Sequence, residues 1–236
     1  MNLDNLIENS RPYLAHLLEW EANLQAISVN QLVQEPEKVA IVSIDVINGF
    51  CTEGPLASPR INDIADPIAE LFELAWDLAV RKIVLIQEAH EPDAVEFGQY
   101  PPHCIRGSSE AESVPELKAL PFYDRLTIIP KNSISPAAAT GFDKWIEQHP
   151  EVETFVVVGD CTDLCSYQLA MHLRLEANAR QLLRRVVAPA DCIDTYDLPV
   201  ETARKIGATP HDGDLLHLIF LHHMHQNGIE VVRSIV

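Results

Sequence analysis

The residues best suited to chemistry in this sequence follow short apolar runs. Asp45 comes directly after the run 39–44, Lys131 follows a second run, and Cys161 and Cys165 follow a third. A carboxylate, an ammonium and a thiol together suit nucleophilic catalysis, because a nearby cation favours the thiolate and a carboxylate can accept the thiol proton. Spacing alone does not decide which of the two cysteines is the nucleophile.

A further polar pair, Glu88 and His90, follows the apolar run 83–86. Carboxylates and imidazoles are both ligands for divalent metal ions. The pair therefore indicates a metal site, provided that the fold brings the ends of these runs together.

Six apolar runs predict the strands that would position these groups. The runs are short, rich in β-branched residues and mostly uninterrupted, which is typical of parallel strands buried on both faces. Helical patterns alternate with them, so the sequence predicts an α/β fold with a doubly wound, mostly parallel six-stranded sheet and helices on both faces, in a Rossmann-like arrangement. The predicted strands are Val39–Ile44, Ile83–Ile86, Leu126–Ile129, Phe155–Val158, Arg185–Ala188 and Ile229–Val232.

Four segments between these runs have helical patterns. In the first of them we expect Asp66 to be the N-cap and Pro67 the first helical residue, since both residue types are favoured at those positions. Gly228 is expected to end the last helix. The predicted helices are Pro67–Val80, Phe142–Gln148, Cys165–Ala177 and Leu215–Asn227.

The chain divides most simply into an extension and one domain. Residues 1–38 are polar with leucines at helical spacing, and Pro36 separates them from the first strong apolar run. We therefore expect a helical N-terminal extension over 1–38 and a single domain over 39–236. A chain of 236 residues can bury a full core without a disulfide or a structural metal.

Composition excludes several classes of partner. Thirty-five acidic residues face 17 basic ones, and the net charge is −18. Such a surface repels phosphate backbones and anionic membranes, so we expect neither nucleic acid nor a membrane as a partner. The acidic start MNLDNLIENS does not suit a secretory signal, and no run of about 18 apolar residues predicts a membrane span. Five cysteines, an odd number, suit reduced thiols in a cytoplasmic protein.

The predicted sheet would gather the polar residues at one edge. Ligands of open α/β sheets bind beyond the carboxyl ends of the strands, which is where Asp45, Glu88, Lys131 and the segment 161–165 fall. Each residue also has an ordinary interpretation, because an Asp can cap a turn, a Lys can be solvated and a Cys can be a buried apolar side chain. The residues by themselves leave both interpretations open.

Three separated motifs resemble those of the isochorismatase-like cysteine hydrolases, and among these the nicotinamidases. The resemblance extends from about Val39 to about Asp191, and the motifs occur in the family's order. The three motifs are Asp45-Val-Ile-Asn-Gly-Phe50, Lys131 followed by Ala139-Thr-Gly-Phe142, and Gly159-Asp-Cys-Thr-Asp-Leu-Cys165. The narrower match to nicotinamidases rests on Gly54-Pro-Leu56, Glu88-Ala-His90 and Pro101-Pro-His-Cys-Ile-Arg-Gly107 followed by Ala111-Glu112.

The resemblance implies a catalytic triad of Asp45, Lys131 and Cys165. Cys165 would be the nucleophile, Lys131 would supply positive charge, and Asp45 would accept the thiol proton and return it to the leaving group. The resemblance also implies that the backbone N–H groups of Cys161 and Cys165 form an oxyanion hole, with a cis peptide between Asp160 and Cys161.

A divalent metal ion (Zn, Mn or Fe) is also implied by the resemblance. Its ligands would be Glu88, His90, Glu96 and His103, where Glu88 replaces an Asp and Glu96 stands roughly at the position of a His. The added oxygen ligands favour harder ions. The alternative is that Glu88 only pairs with Lys131 or caps a loop.

Two aromatic residues are candidates for binding the substrate. Phe50 occupies the family's usual Phe position and Tyr100 falls where a Trp is common, and either ring can stack on a flat pyridine. Ordinary core packing is their alternative interpretation. Ile47, Gly49 and Cys161 differ from the family's usual residues, which leaves the substrate more open than the mechanism.

The leading hypothesis is a cysteine amidohydrolase that converts nicotinamide to nicotinate and ammonia through a thioester. One alternative is a related hydrolase of another small amide, ureido or carbamoyl compound. The other is a non-catalytic binding protein. The partner expected from the resemblance is a small-molecule amide, and the resemblance also implies a homo-oligomer.

Overall fold

Seven strands form one sheet within residues 2–236, the part of the chain that the computed structural model describes. Every adjacent pair of strands is parallel. The strands are β1 (Val39–Ile44), β2 (Lys82–Glu88), β3 (Thr127–Lys131), β4 (Thr154–Asp160), β5 (Arg185–Pro189), β6 (Ile193–Asp194) and β7 (Glu230–Val232).

The strand order is β3-β2-β1-β4-β5-β7, and β6 pairs with the last two residues of β4. From β1 the chain adds β2 and β3 on one side, and then returns to place β4 on the other side of β1. The order therefore reverses between β1 and β4, which is where doubly wound sheets bind ligands. The predicted fold class is confirmed. The sequence missed β6 because a two-residue strand leaves no apolar run.

Strand β3 is longer than its predicted range of Leu126–Ile129. It begins at Thr127 and continues through Pro130 to Lys131. Proline cannot donate a hydrogen bond to a neighbouring strand, and β3 tolerates it because it lies at the edge of the sheet. This extension makes Lys131 the last residue of the strand.

Helices connect the strands in chain order. The long helix near the amino terminus lies within the predicted extension, and none of the described helices is long and apolar enough to cross a membrane. The helices are α1 (Leu3–Ala22), α2 (Val29–Leu32), α3 (Asn48–Cys51), α4 (Pro59–Asn62), α5 (Ala65–Asp77), α6 (Pro115–Lys118), α7 (Phe142–Gln148), α8 (Cys165–Arg180), α9 (Val200–Ile206) and α10 (Gly213–Gln226).

The boundaries of α5 differ from the prediction. The helix begins at Ala65 after Ile64, so Asp66 is not the N-cap, and Pro67 lies third in the helix. The preceding residues already turn in α4, which brings the chain into the helix earlier. Asp66 lies in the first turn, where the positive end of the helix dipole stabilises its carboxylate. The helix stops before Ala79, whose φ of 66° is not helical.

Two apolar layers cover the sheet. Helix α5 packs Ile68, Leu71 and Phe72 against one face, together with residues from α2, α4 and α6. Helix α8 packs Leu169 and Leu173 against the other face, with residues from α7 and α10. Alternate side chains of β1 enter the two layers, so its backbone is buried from both sides. The central strand ends are held rigidly by this packing.

Helix α1 packs on α10 through aromatic and imidazole rings. The ring centroids of Trp20 and His222 lie 5.0 Å apart, and Tyr13 Oη lies 3.2 Å from His222 Nδ1. Leu17, which belongs to α1, is fully buried. Helix α1 therefore covers the layer that contains α8 and α10, whereas α2 belongs to the layer of α5.

The close approach of β4 to β1 depends on Gly159. Its φ is 111°, and an added Cβ would lie 2.0 Å from the backbone oxygen of Ile44. We predict that Gly159→Ala lowers the free energy of unfolding by about 3 kcal/mol, because backbone atoms must move to relieve the clash. Urea denaturation measures this change.

The matched control is Gly98→Ala. A Cβ at Gly98 would meet no atom within 4 Å, so its expected effect is within about 0.5 kcal/mol. Equal stabilities for the two variants would contradict the account of Gly159.

Candidate active site

The carboxyl edge of the sheet carries the polar residues that the sequence placed there. Asp45 directly follows β1, Glu88 and Lys131 are the last residues of β2 and β3, and Cys165 begins α8 after β4. In the β2–β3 register Glu88 is paired with Lys131. The four strand ends therefore meet at one edge, as the sequence predicts.

Lys131 lies at the centre of this group. Its Nζ is 2.7 Å from Asp45 Oδ2, 2.7 Å from Glu88 Oε1 and 3.5 Å from Cys165 Sγ. It also donates to the backbone oxygen of Ser133 at 3.1 Å. The Lys131 side chain is 0% exposed. One buried ammonium thus holds two carboxylates and a thiol around a common point.

The backbone at Asp45 turns its carboxylate back towards β2. Its φ of 58° is in the left-handed region, which Asp tolerates better than most residues. Its Oδ1 accepts the backbone N–H of Glu88 at 2.8 Å. Single ligand atoms of Asp45, Glu88 and Cys165 all lie within 4.8 Å of one another. The Asp45 carboxylate is therefore close to the thiol as well as to Lys131.

Burial and charge shift the pKa values of this group. Burial raises the pKa of Asp45 to about 6, although Lys131 counteracts part of the effect. Burial also raises the pKa of the Cys165 thiol, against the opposing influence of Lys131. Burial disfavours the Lys131 ammonium, but Asp45, Cys165 and Glu88 together raise its pKa well above the usual value. The site therefore holds a neutral thiol beside a charged lysine.

The segment between β4 and α8 contains two unoccupied amide donors. Asp160 and Cys161 are joined by a cis peptide bond, as expected from the resemblance. The backbone oxygen of Cys161 accepts the N–H groups of Leu164 at 3.0 Å and Ser166 at 3.1 Å. Among the hydrogen bonds of residues 2–236, none uses the N–H of Cys161 or Cys165 as donor. Cys165 also lies in the first turn of α8, where the helix dipole favours negative charge.

A second cluster adjoins the first through Glu88. Its Oε2 is 3.1 Å from His90 Nε2 and 2.9 Å from His103 Nε2. Glu96 completes the group, since one ligand atom from each of the four residues lies within 4.8 Å of the others. All of the predicted metal ligands are therefore brought together.

The donor pattern of this cluster suits a metal ion. His90 Nδ1 lies 2.9 Å from Asn132 Oδ1, and His103 Nδ1 lies 2.8 Å from the backbone oxygen of Pro101. If each Nδ1 donates its hydrogen there, each Nε2 directs a lone pair at the carboxylate of Glu88. A divalent cation bound by these atoms would remove the repulsion between the two Nε2 lone pairs and the carboxylate. Hydrogen-bonded His ligands are usual at metal sites. Two imidazoles and two carboxylates are a suitable set for Zn, Mn or Fe.

Glu88 takes part in both clusters. Its Oε1 pairs with Lys131, and its Oε2 faces the imidazoles. Burial opposes its charge, but the Lys131 ammonium holds the pKa of Glu88 well below the usual value. A single ionised carboxylate thus joins the lysine to the metal-ligand cluster.

Aromatic rings surround the imidazoles. The Phe50 and Tyr100 rings are 5.7 Å and 6.2 Å from the His103 ring, centroid to centroid. Phe97, which the sequence analysis missed, is 5.3 Å from the His90 ring. Both predicted aromatic residues are half-buried rather than enclosed in the core. The site therefore combines flat apolar surfaces with polar groups.

Other functional contacts were also missed. Asn132 supports His90, and the backbone oxygens of Pro101 and Ser133 support His103 and Lys131. Asn132 could have been found, because it directly follows Lys131 at the end of β3. Nothing in the residue pattern distinguishes the two backbone acceptors or Phe97.

Comparison with known proteins identifies the family. The family model for the isochorismatase domain matches residues 39–207 of the chain. The chain belongs to the isochorismatase family. It is 32% identical to Nicotinamidase 1 of Arabidopsis thaliana over 220 residues, which cover 86% of this chain and 89% of that protein. The prediction of a nicotinamidase-like hydrolase is therefore confirmed.

Solved structures of the isochorismatase family share the fold. The pyrazinamidase/nicotinamidase of Streptococcus mutans has a TM-score of 0.64 and 21% identity, with coverage of 82% of this chain and 99% of the other. The pyrazinamidase of Pyrococcus horikoshii in complex with zinc also has a TM-score of 0.64, with 20% identity and coverage of 83% and 99%.

The histidine cluster generates a prediction about metal uptake. We expect the purified protein, after chelation and dialysis against Zn²⁺, to bind one ion per chain. His103→Ala should weaken this binding more than tenfold, because it removes a direct ligand (changes beside metal ligands alone cost about 10–100-fold). Equilibrium dialysis with elemental analysis measures the uptake.

His223→Ala serves as the control for metal uptake. His223 is exposed on α10 and contacts Tyr167 rather than the cluster, so its removal should leave uptake unchanged. If His103→Ala and the intact protein bind Zn²⁺ equally, the cluster is not the site.

Proposed function

We propose that this protein hydrolyses nicotinamide to nicotinate and ammonia, with Cys165 as the nucleophile. The observation that carries the proposal is the buried contact of Lys131 Nζ with both Asp45 Oδ2 at 2.7 Å and Cys165 Sγ at 3.5 Å. Such a contact couples a proton acceptor to a thiol among buried side chains. The 32% identity to a nicotinamidase supports this choice of substrate.

The reaction begins with the transfer of the thiol proton to Asp45. A carboxylate whose pKa is about 6 is a suitable base near neutral pH. Lys131 stabilises the thiolate as it forms, and so does the amino end of α8. The sulfur attacks the amide carbon, a C–S bond forms, and the carbonyl oxygen becomes negatively charged.

The negative oxygen needs hydrogen-bond donors that are already in position. The N–H groups of Cys161 and Cys165 are suited to this role, since neither donates within the described chain. Preorganised amide donors of this kind typically contribute about 3–4 kcal/mol to the stability of a transition state.

Asp45 then returns its proton to the leaving nitrogen. The C–N bond breaks, ammonia departs, and a thioester remains on Cys165. Water attacks the thioester with Asp45 as the base, which releases the carboxylic acid and restores the thiol. The overall change is the consumption of one amide and one water and the formation of one acid and one ammonia.

The neighbouring cluster is suited to orienting the substrate. When bound by Glu88, His90, Glu96 and His103, a metal ion would supply a Lewis acid for a ring nitrogen. Phe50 and Tyr100 would stack against the ring of the amide. The alternative of a non-catalytic binding protein has no comparable support, because every group that the chemistry requires is present.

The assignment of Cys165 is tested by removing its sulfur. We predict that Cys165→Ala loses at least about 10⁴-fold in kcat, since its sulfur is the one that contacts Lys131. Ammonia release from nicotinamide, followed in a coupled assay, measures the loss.

Cys192→Ala is the matched control, because Cys192 is also a buried free thiol but follows β5 outside the cluster. It should retain ammonia release within about twofold. The proposed function is wrong if the intact protein releases no ammonia from nicotinamide, and the assignment of Cys165 is wrong if Cys165→Ala remains active.

The role of Asp45 is tested by Asp45→Asn. The amide keeps the shape of the side chain but cannot accept the thiol proton, so we expect kcat to fall by about 10²–10⁴-fold. Steady-state kinetics with nicotinamide measures the change. Asp63→Asn, at an exposed carboxylate after α4, is expected to behave like the intact protein. Similar rates for both variants would exclude Asp45 as the base.

A further inference from the structure

A polar cluster that the proposed mechanism does not use lies behind the nucleophile segment. Asp163 Oδ1 accepts the hydroxyl of Thr195 at 2.6 Å, and Asp163 Oδ2 lies 2.9 Å from His211 Nε2. The side chains of Asp163 and His211 are 7% and 10% exposed. These contacts connect the segment between Cys161 and Cys165 to two distant parts of the chain.

His211 extends the cluster to an aromatic ring. Its Nδ1 donates to the backbone oxygen of Tyr196 at 2.8 Å, and its ring stacks on the Tyr196 ring with centroids 3.8 Å apart and planes 20° apart. Contacts at both ring nitrogens therefore fix the plane of the imidazole against the Tyr196 ring.

Tyr196 lies beside the site. It follows β6, which pairs with the last two residues of β4, and Thr162 N–H donates to the oxygen of Asp194 at 3.0 Å. The ring is half-buried. Its burial, the neighbouring phenol of Tyr100 and the thiol of Cys161 raise the pKa of Tyr196. Tyr196 therefore follows a strand that is paired with β4 beside the nucleophile segment, and its ring packs against the apolar layer that includes Cys161.

We propose that Tyr196 determines specificity by contacting the ring of an aromatic carboxamide, and that Asp163 and His211 are positioning residues that fix its orientation. This proposal rests on the proposed amide hydrolysis. A tyrosine on a connecting segment would otherwise rotate, whereas this ring stacks on His211, whose two ring nitrogens are both hydrogen-bonded. A flat side chain that is already fixed binds a planar ring without the entropy cost of becoming ordered, so less affinity is lost. It offers little to an open-chain amide.

The variants for the test are Tyr196→Ala, Tyr196→Phe, His211→Asn and the double variant Tyr196→Ala/His211→Asn. We expect Tyr196→Ala to raise KM for nicotinamide about 5–10-fold with kcat changed less than twofold, as for loss of one aromatic contact. Tyr196→Phe should recover most of this loss, because it restores the ring. His211→Asn should raise KM about threefold, and it should add nothing in the double variant, since it acts through Tyr196.

A second measurement separates positioning from damage to the nucleophile. The rate of Cys165 alkylation by iodoacetamide, followed by mass spectrometry of the Cys165 peptide, does not depend on a substrate ring. It should be unchanged in all four variants. Alkylation that slows in parallel with the rise in KM would overturn the proposal in favour of a structural role for the cluster.

His149→Asn is the matched control for His211→Asn. His149 stacks on Trp145 with centroids 4.3 Å apart, and its Nδ1 donates to the Trp145 backbone oxygen at 2.7 Å. This pair ends α7 just before β4 begins, at the opposite edge of the sheet from the site. The same substitution there should leave KM unchanged.

Kinetics with nicotinamide, benzamide and propionamide distinguish the failure of this proposal from failure of the proposed function. An intact protein that hydrolyses benzamide but not nicotinamide contradicts nicotinamide as the substrate, and the role of Tyr196 is then measured with benzamide. Hydrolysis of propionamide alone overturns both the substrate and the role of Tyr196. Equal KM for Tyr196→Ala and the intact protein overturns the role of Tyr196. If KM of the double variant is about three times that of Tyr196→Ala alone, His211 does not act through Tyr196, and its positioning role is overturned. Hydrolysis of none of the three amides overturns both proposals.

Discussion

The arrangement of the site depends on the burial of one lysine among acidic groups. An ammonium removed from water is costly unless opposite charges and hydrogen bonds replace its hydration, and removing one partner of such a group typically costs about 3–5 kcal/mol. Lys131 meets this requirement with Asp45 and Glu88, each 2.7 Å away. The thiol of Cys165 is the third polar side-chain group near its Nζ, at 3.5 Å. The charge balance that lets the lysine stay buried therefore also places it against the sulfur.

Glu88 transmits this constraint to the second cluster. One of its oxygens is held by the lysine, so the other has a defined position opposite His90 and His103. Each imidazole is oriented in turn by a hydrogen bond on its far nitrogen. The nucleophile and the proposed metal ligands are thus parts of one connected network. Their separation is set by a single carboxylate, which explains how a rigid sheet edge can present both to the same small amide.

The strand order provides the space for this network. The reversal between β1 and β4 separates the connections that follow the two strands, and doubly wound sheets bind their ligands where such connections diverge. Asp45 follows β1, and the Cys161–Cys165 segment follows β4. Gly159 allows the two strands to approach closely at this point. The short strand β6 then brings Tyr196 and its supporting contacts to the same edge.

Much of this architecture was accessible from residue types and spacing. Apolar runs indicated six of the seven strands, because burial on both faces leaves uninterrupted β-branched segments. The position of the polar residues directly after those runs indicated one shared edge. The motifs at Asp45, Lys131 and Cys165 then indicated the isochorismatase family and a set of metal ligands. Local errors arose where neighbours decide the boundary, as at Asp66, which lies inside α5 rather than before it.

The sequence by itself determined which chemical groups are present and which strand end carries each of them, because both follow from local patterns. Only the tertiary structure decided how they are paired. Lys131 contacts partners 43 and 34 positions away, and Glu88 divides its two oxygens between a lysine and two histidines. Such choices depend on side-chain rotamers and on packing between distant segments. For the same reason, the sequence did not predict the stacking of Tyr196 on His211.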